Sequence, residues 1–167
     1  MEKRQTPFDS NRFREVSGRF ATGITIVTAR AGNQIHGLTV NAFCSVSLQP
    51  ALVLICVDKK AQSHDLIIAG GCFAVNLLGA SQQELAERFA DNFLQSEQRF
   101  SGIEFHQEVT GAPILNRSLG WLDCKTLNSY EGGDHTIFVG EVMALGAGAH
   151  EPPLLFFRSR YHHPEKM

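Results

Sequence analysis

The chain has 167 residues and a formal net charge of −2 with histidine neutral. That length suits one domain, 1–167, with a sizeable core. The charge balance gives no basic field for nucleic acid, and no basic run or zinc-finger spacing is present. The N-terminus lacks the apolar core of a signal peptide. No apolar run approaches the roughly 20 residues that span a bilayer. Cys44, Cys56, Cys72 and Cys124 are far apart, and three of them sit in apolar strand-like runs. They read as reduced thiols of a cytoplasmic protein rather than a disulfide framework.

Thr6-Pro7-Phe8-Asp9 predicts a helix start: Thr6 can cap, Pro7 suits the first helical position and Asp9 complements the dipole. Phe13, Val16 and Phe20 follow at helical spacing, which predicts a helix lying on a core and ended by Gly23. Ile24 to Ala29 is β-branched and reads as a strand. Ala31-Gly32-Asn33-Gln34 reads as a hairpin turn.

Ile35 to Leu48 then reads as one long strand. From Leu38 onward it alternates without a break. Leu38, Val40, Ala42, Cys44, Val46 and Leu48 form the expected core face. Thr39, Asn41, Phe43, Ser45 and Ser47 form a row of small polar groups around one aromatic. Pro50 breaks the ladder, and Leu52 to Val57 gives the next strand. The polar row fits a solvent-washed face of an antiparallel sheet. It also fits a wall for a flat ligand, with Lys59, Lys60 and Ser63 next to it as a phosphate-like cluster.

Further on, Ala61 to Ala69 reads as a short helix ended by Gly70-Gly71, and Cys72 to Leu78 as a strand. Ser81-Gln82-Gln83-Glu84 has the pattern of a capping box. The helix behind it carries Leu85, Phe89 and Phe93 on one stripe, with Arg88 on another side. Asn92 to Gly102 reads as polar loop, and Phe105 to Val109 as a short strand. Leu119 to Leu127 and Thr136 to Ala147 read as long strands around Gly132-Gly133. Leu154 to Phe157 reads as a last strand before a polar tail from Arg158 to Met167. The expected class is mainly β with a few helices. About seven strands joined mostly by short turns predict an antiparallel sheet that closes into a barrel.

Several chemistries lack their signatures. There is no dinucleotide-type glycine motif after a strand, no Walker sequence and no nucleophile elbow. The histidines show no metal spacing, and no metal is expected. Asp123, Glu131, Asp134 and Glu141 could supply a carboxylate pair, but spacing alone unites no two of them. In Gly132-Gly133-Asp134-His135 the glycines permit a tight turn. Asp134 can bond turn amides, and His135 stands at the mouth of a strand. It is either a turn-end residue or a group that orients a cofactor.

Taken together, these residues resemble the short-chain flavin reductase family over nearly the whole chain. The matching motifs are Phe20-Ala21-Thr22-Gly23-Ile24-Thr25, Gly37 to Ser47 with Pro50, and Phe73-Ala74-Val75-Asn76-Leu77-Leu78. Arg88-Phe89-Ala90, Gly133-Asp134-His135, Gly140-Glu141-Val142 and Arg160-Tyr161 complete the set. The family contains NAD(P)H:flavin oxidoreductases, often the small component of two-component aromatic monooxygenases such as those for hydroxyphenylacetate, phenol and chlorophenol.

The resemblance implies a flavin-binding split β-barrel of antiparallel Greek-key type and a homodimer. It further implies FAD or FMN as flavin, NADH or NADPH as reductant, and a separate monooxygenase as recipient. It places Leu38, Thr39, Val40, Asn41 and Ala42 along the isoalloxazine ring, largely through backbone groups, with Cys44 and Ser45 continuing the wall. Lys59, Lys60, Ala61, Gln62, Ser63, His64 and Asp65 would surround the phosphate, aided by the helix N-terminus at Ala61. Arg88 and Phe89 would lie near the outer part of the flavin. His135 would sit by flavin and nicotinamide in an orienting role, and Arg160 and Tyr161 would edge the dinucleotide site. A flavin carrier without turnover, and a reductase acting on ferric iron or a corrinoid, are the other expectations the same barrel allows.

Overall fold

The computed structural model describes residues 9–164. The expected start at Thr6, Pro7 and Phe8 lies outside them. Helix α1 is Ser10–Ser17, and its N-cap is Asp9, whose Oδ1 accepts from the Arg12 N–H at 2.7 Å. The expectation that this helix lies on a core is corrected: it buries no residue, and Phe13, Val16 and Phe20 are exposed within the single chain.

Strands β1 (Thr22–Gly23), β2 (Thr25–Ala31) and β3 (Gln34–Val40) follow, the last two joined by a turn with Gly32 at φ +57°. Next come β4 (Phe43–Leu48), β5 (Ala51–Asp58), helix α2 (Gln62–Gly70) and β6 (Cys72–Leu77). Gly71 closes α2 in the left-handed conformation, φ +62°, which glycine adopts without steric cost. A 3-10 turn at Ala80–Gln82 leads into α3 (Gln83–Ala90), and α4 is Ser96–Phe100. The remaining strands are β7 (Phe105–His106), β8 (Ile114–Leu115), β9 (Gly120–Gly132), β10 (His135–Ala147), β11 (Leu155–Phe157) and β12 (Arg160–His162).

Seven strands form one antiparallel sheet in the order β3-β2-β6-β9-β10-β5-β4. Its two edge strands, β3 and β4, are consecutive in the chain and separated only by Asn41 and Ala42. Two residues cannot cross the width of a flat seven-stranded sheet, since neighbouring strands lie about 4.8 Å apart. The sheet therefore curls until its edges meet, forming a barrel split at the β3–β4 seam. The single long strand expected over 35–48 is thus two strands on two partners: β3 pairs with β2 and β4 with β5. The break also inverts the alternation. Phe43 packs against the core, while Ala42, Cys44, Val46 and Leu48 are exposed.

One cluster of buried side chains joins Val27, Val40, Val53, Ile55, Phe73 and Phe138 to Ile67 of α2. A second joins Ile24 and Ile26 to Leu78, Ala86, Phe89 and Phe100, which fastens α3 and α4 to the other face of β2. Gly140 of β10 faces the Phe73 ring, where an added Cβ would fall 2.5 Å from Cζ and 2.9 Å from Cβ of Cys124. Gly140→Ala is expected to cost about 1.5 kcal/mol by overpacking this core. A urea midpoint unchanged from wild type would contradict that packing.

Four more expectations are corrected. The segment expected as loop over 92–102 contains α4, because the buried Arg99 ties it to the barrel. Ser81 caps no helix: its N–H and hydroxyl both donate to the Glu151 carboxylate, at 3.0 and 2.9 Å, and the turn is closed by Gln82 Oε1 accepting from Gly79 N–H. Phe93 is exposed beyond the end of α3 rather than on its buried stripe. The tail expected from Arg158 carries β12, which folds back on β11 through Arg158 and Ser159, both at positive φ.

Candidate functional site

The seam between β3 and β4 is the natural place for a site, because there the barrel leaves backbone groups outside the ladder. Asn41 O accepts from Phe43 N–H, and Ala42 O from Cys56 N–H. Among the described residues, the N–H groups of Asn41 and Ala42 donate to no acceptor. Unpaired backbone donors beside an opening suit carbonyl and ring-nitrogen acceptors of a flat ligand.

Two cavities meet this stretch. A groove of about 550 Å³ is lined by Leu38 and Thr39 of β3, Asp58, Lys60, Ala61 and Gln62 ahead of and at the start of α2, and Phe89 of α3. Another, of about 460 Å³, is lined by Asn41, Ala42, Phe43 and Cys44 together with Phe20 and Phe156. Both volumes are those of small-molecule sites. Val40, between the two sets, is buried in the core and offers only backbone. Thr39 spends its hydroxyl on Ala86 O, at 2.6 Å, so it fixes α3 against β3. Ser45 is exposed on β4 and lines neither cavity.

The start of α2 forms the polar end of the groove. Ala61, the N-cap, supplies no side-chain acceptor. Its own N–H donates to Asp58 O, and His64 N–H donates to Ala61 O. The N–H groups of Gln62 and Ser63 are left for another acceptor, and the helix dipole favours an anion there. Lys60 stands on the same groove.

The side chains of Ser63 and His64 differ from what the resemblance implied. Both are buried. The Ser63 hydroxyl bonds His36 Nδ1 at 2.5 Å, and His64 Nε2 bonds Thr136 Oγ1 at 2.9 Å. They anchor α2 to the barrel, and neither side chain lines the groove. Asp65 is largely exposed and pairs with His64 Nδ1. Lys59 is turned away from the groove: its Nζ bonds the Glu131 carboxylate and, at 2.9 Å, Gly133 O. The hydrogen bond from Lys59 holds the Glu131 carboxyl below its usual range.

His135 opens β10 directly opposite Asp58 of β5. Lys59 N–H donates to Asp134 O at 3.0 Å, tying the β9–β10 turn to the strand end that lines the groove. His135 Nδ1 bonds Asp134 Oδ1 at 2.8 Å, which holds that carboxyl below its ordinary range. Asp134, Glu131 and the buried Asp123, which accepts from Thr110, each have a separate partner, so no two of these three act as a carboxylate pair.

Arg88 and Phe89 part company. Phe89 lines the groove, whereas Arg88 donates to Ser101 O at 3.1 Å and lines a different open cavity with Arg117. Arg160 is exposed on β12. Tyr161 packs on Phe156, ring centroids 5.4 Å apart, and burial pushes its hydroxyl pKa up. Neither lines the groove beside Lys60.

Among the groove residues that the sequence reading did not assign to the site are Arg99 and His36. Arg99 sat in a stretch read as polar loop, and His36 sat in the strand before the alternation became regular. A histidine between Ile35 and Gly37 in an apolar strand was the one available signal for His36.

A split antiparallel barrel with unpaired amides at its seam and an anion-binding helix end beside it defines a class: small barrels that hold a planar, phosphate-bearing cofactor. The chain belongs to the family described as flavin reductase like domain, whose model matches residues 17–165. It is 40% identical over 157 residues to an NADH-dependent FAD reductase of Streptomyces globisporus, covering 93% of this chain and 86% of that protein. It is 38% identical over 153 residues to the reductase subunit HsaB of a flavin-dependent monooxygenase from Rhodococcus jostii, covering 92% and 77%. The solved structure of an NADH:FAD oxidoreductase of S. globisporus superposes with TM-score 0.88 at 37% identity, covering 99% of each chain.

Proposed function

We propose that the protein is an NADH-dependent flavin reductase that supplies reduced FAD or FMN to a separate monooxygenase. One observation supports the reading: two cavities border the β3–β4 break, one lined by Asn41 and Ala42 with their unpaired amides, the other by Lys60 and the start of α2, with His135 paired in register to Asp58 of the latter. Of the relatives named above, one is by name an NADH-dependent FAD reductase and another the reductase subunit of a flavin-dependent monooxygenase.

The groups present fit a flavin. Asn41 and Ala42 N–H face an acceptor edge, Leu38 supplies an apolar wall, and the α2 N–H groups with Lys60 take a phosphate. A bound flavin would supply the redox chemistry, as acceptor of the hydride of NADH. The chain holds the two rings in one geometry, which replaces an encounter in solution by a fixed approach. His135, aimed by Asp134, orients the partner ring at the rim. Arg160 and Tyr161 edge the dinucleotide from the β11–β12 ribbon.

His135→Ala is expected to lower turnover about several-fold or more with the fold intact. Unchanged steady-state kinetics would remove His135 from the site. Asp134→Asn, which weakens the aiming bond, is expected to follow it in part.

We also infer that the protein works as a cytoplasmic homodimer of one-domain chains. The exposed side chains of Val16 and Phe20, the latter lining the cavity with Ala42 and Phe156, support a second copy as their cover. The four free cysteines suit a reducing compartment. Sedimentation at micromolar concentration is expected to give twice the chain mass, and a monomer would contradict this.

A further inference from the structure

His36 of β3 is 6% exposed, yet it lines the groove. Its two ring nitrogens have different fates. Nδ1 bonds the hydroxyl of Ser63, itself fully buried in the first turn of α2. Nε2 is buried and has no hydrogen-bond partner. Gln62 lies beside it without reaching bonding geometry. Buried polar atoms are almost always paired, so an orphan at a cavity wall marks the place of a ligand atom.

Three further groups converge on the same end of the groove. The Gln62 and Ser63 N–H groups open a nine-residue helix whose N-cap supplies no acceptor. Lys60 adds a cationic side chain. Past His36 and Gln62 the groove continues into a recess of about 380 Å³ bounded by Gln34, Gln95 and Ser96. His36 and Gln62 therefore line both the groove and the recess.

We propose that His36 is a ligand-binding residue whose Nε2–H donates to an oxygen at the phosphate-bearing end of the flavin side chain. The assignment rests on the flavin reductase reading and adds to it a residue for the phosphate end. An anionic oxygen at Nε2 selects the tautomer with the proton there, and the Ser63 hydroxyl then donates to Nδ1. Burial and the nearby Arg99 push the imidazole pKa down to about 4, so the ring is a neutral donor at neutral pH. Ser63 is the positioning residue behind it.

The test measures dissociation constants for riboflavin, FMN and FAD by quenching of flavin fluorescence, in wild type, His36→Phe and His36→Gln. The account expects His36→Phe to weaken FMN and FAD by about tenfold, as for loss of one charge-assisted hydrogen bond, with riboflavin unchanged. His36→Gln, which keeps a donor, recovers much of the loss. Equal weakening of all three flavins, or of none, overturns the proposal. Wild type binding no flavin at all sinks the flavin reductase reading itself, a result distinct from either.

A second measurement needs no variant. In wild-type protein the His36 Nε2–H proton resonance is expected to shift and become protected from exchange on adding FMN. With riboflavin it stays unprotected. The same response to both, or to neither, overturns the assignment.

Discussion

Arg99→Met is expected to lower stability by about 3 kcal/mol and to slacken the groove. Arg99 is 4% exposed and has no carboxylate in its hydrogen-bond set. Its guanidinium donates instead to four backbone carbonyls. Nη1 reaches Gly37 O at 2.8 Å and Phe89 O at 2.6 Å, Nη2 reaches Asp91 O at 2.6 Å, and Nε reaches Leu94 O at 3.2 Å.

These carbonyls belong to β3, the end of α3 and the link to α4. One planar fork therefore locks together the two walls of the groove that carry Leu38 and Phe89. Methionine fills much of the volume but leaves the acceptors without donors. Lysine fails for a different reason, since one ammonium cannot span four carbonyls in a fixed plane. Urea unfolding followed by Trp121 fluorescence reads the loss. A midpoint for Arg99→Met or Arg99→Lys within error of wild type would contradict the clamp.

Lowering the pH from about 7.5 to about 5 is expected to cost the fold about 2 kcal/mol through His36 alone. Its folded pKa lies at about 4, below the ordinary 6.5, first because burial disfavours the charged ring and second because of the Arg99 charge. As pH falls below 6.5 the unfolded chain takes up the proton and the folded chain does not. The unfolded state then binds more protons, so stability falls with falling pH. The contribution is complete above 6.5 and is lost across the window down to 4. His36→Gln has no proton to take up, so its stability is expected to change less over the same range by about that amount. Parallel losses in wild type and variant would place the ring in contact with water.

The elements were legible where composition and turn residues marked both their ends. The β-branched run of β2, the alternation at the start of β9, the glycines that end α2 and turn β9 into β10, and the apolar run of β5 all carry their structure locally. The reading failed where tertiary partners decide. The alternation from Leu38 to Leu48 looks continuous, yet the barrel cuts it at Asn41-Ala42, because closure gives β3 and β4 different partners. No local signal marks that cut, and the same cut creates the unpaired amides of the site.

The stripe of Phe13, Val16 and Phe20 shows that a face is apolar without saying that this chain covers it. Arg99 looked like loop because a buried arginine bound only to carbonyls has no sequence signature. At the candidate site, Lys60, Gln62 and Phe89, which the resemblance put near the flavin, line one groove, and His135 lies across from its Asp58 without lining it. The directions of Ser63, Lys59 and Arg88, each turned to a protein partner, depend on packing that motifs do not carry.

The most direct test follows absorbance of the NADH band in purified protein with FAD, FMN and riboflavin added in turn. The account predicts flavin-dependent loss of NADH that saturates in flavin, faster with the phosphate-bearing flavins than with riboflavin. No loss of NADH with any flavin, while flavin fluorescence is still quenched by the protein, would contradict the reductase and leave a flavin-binding barrel without turnover.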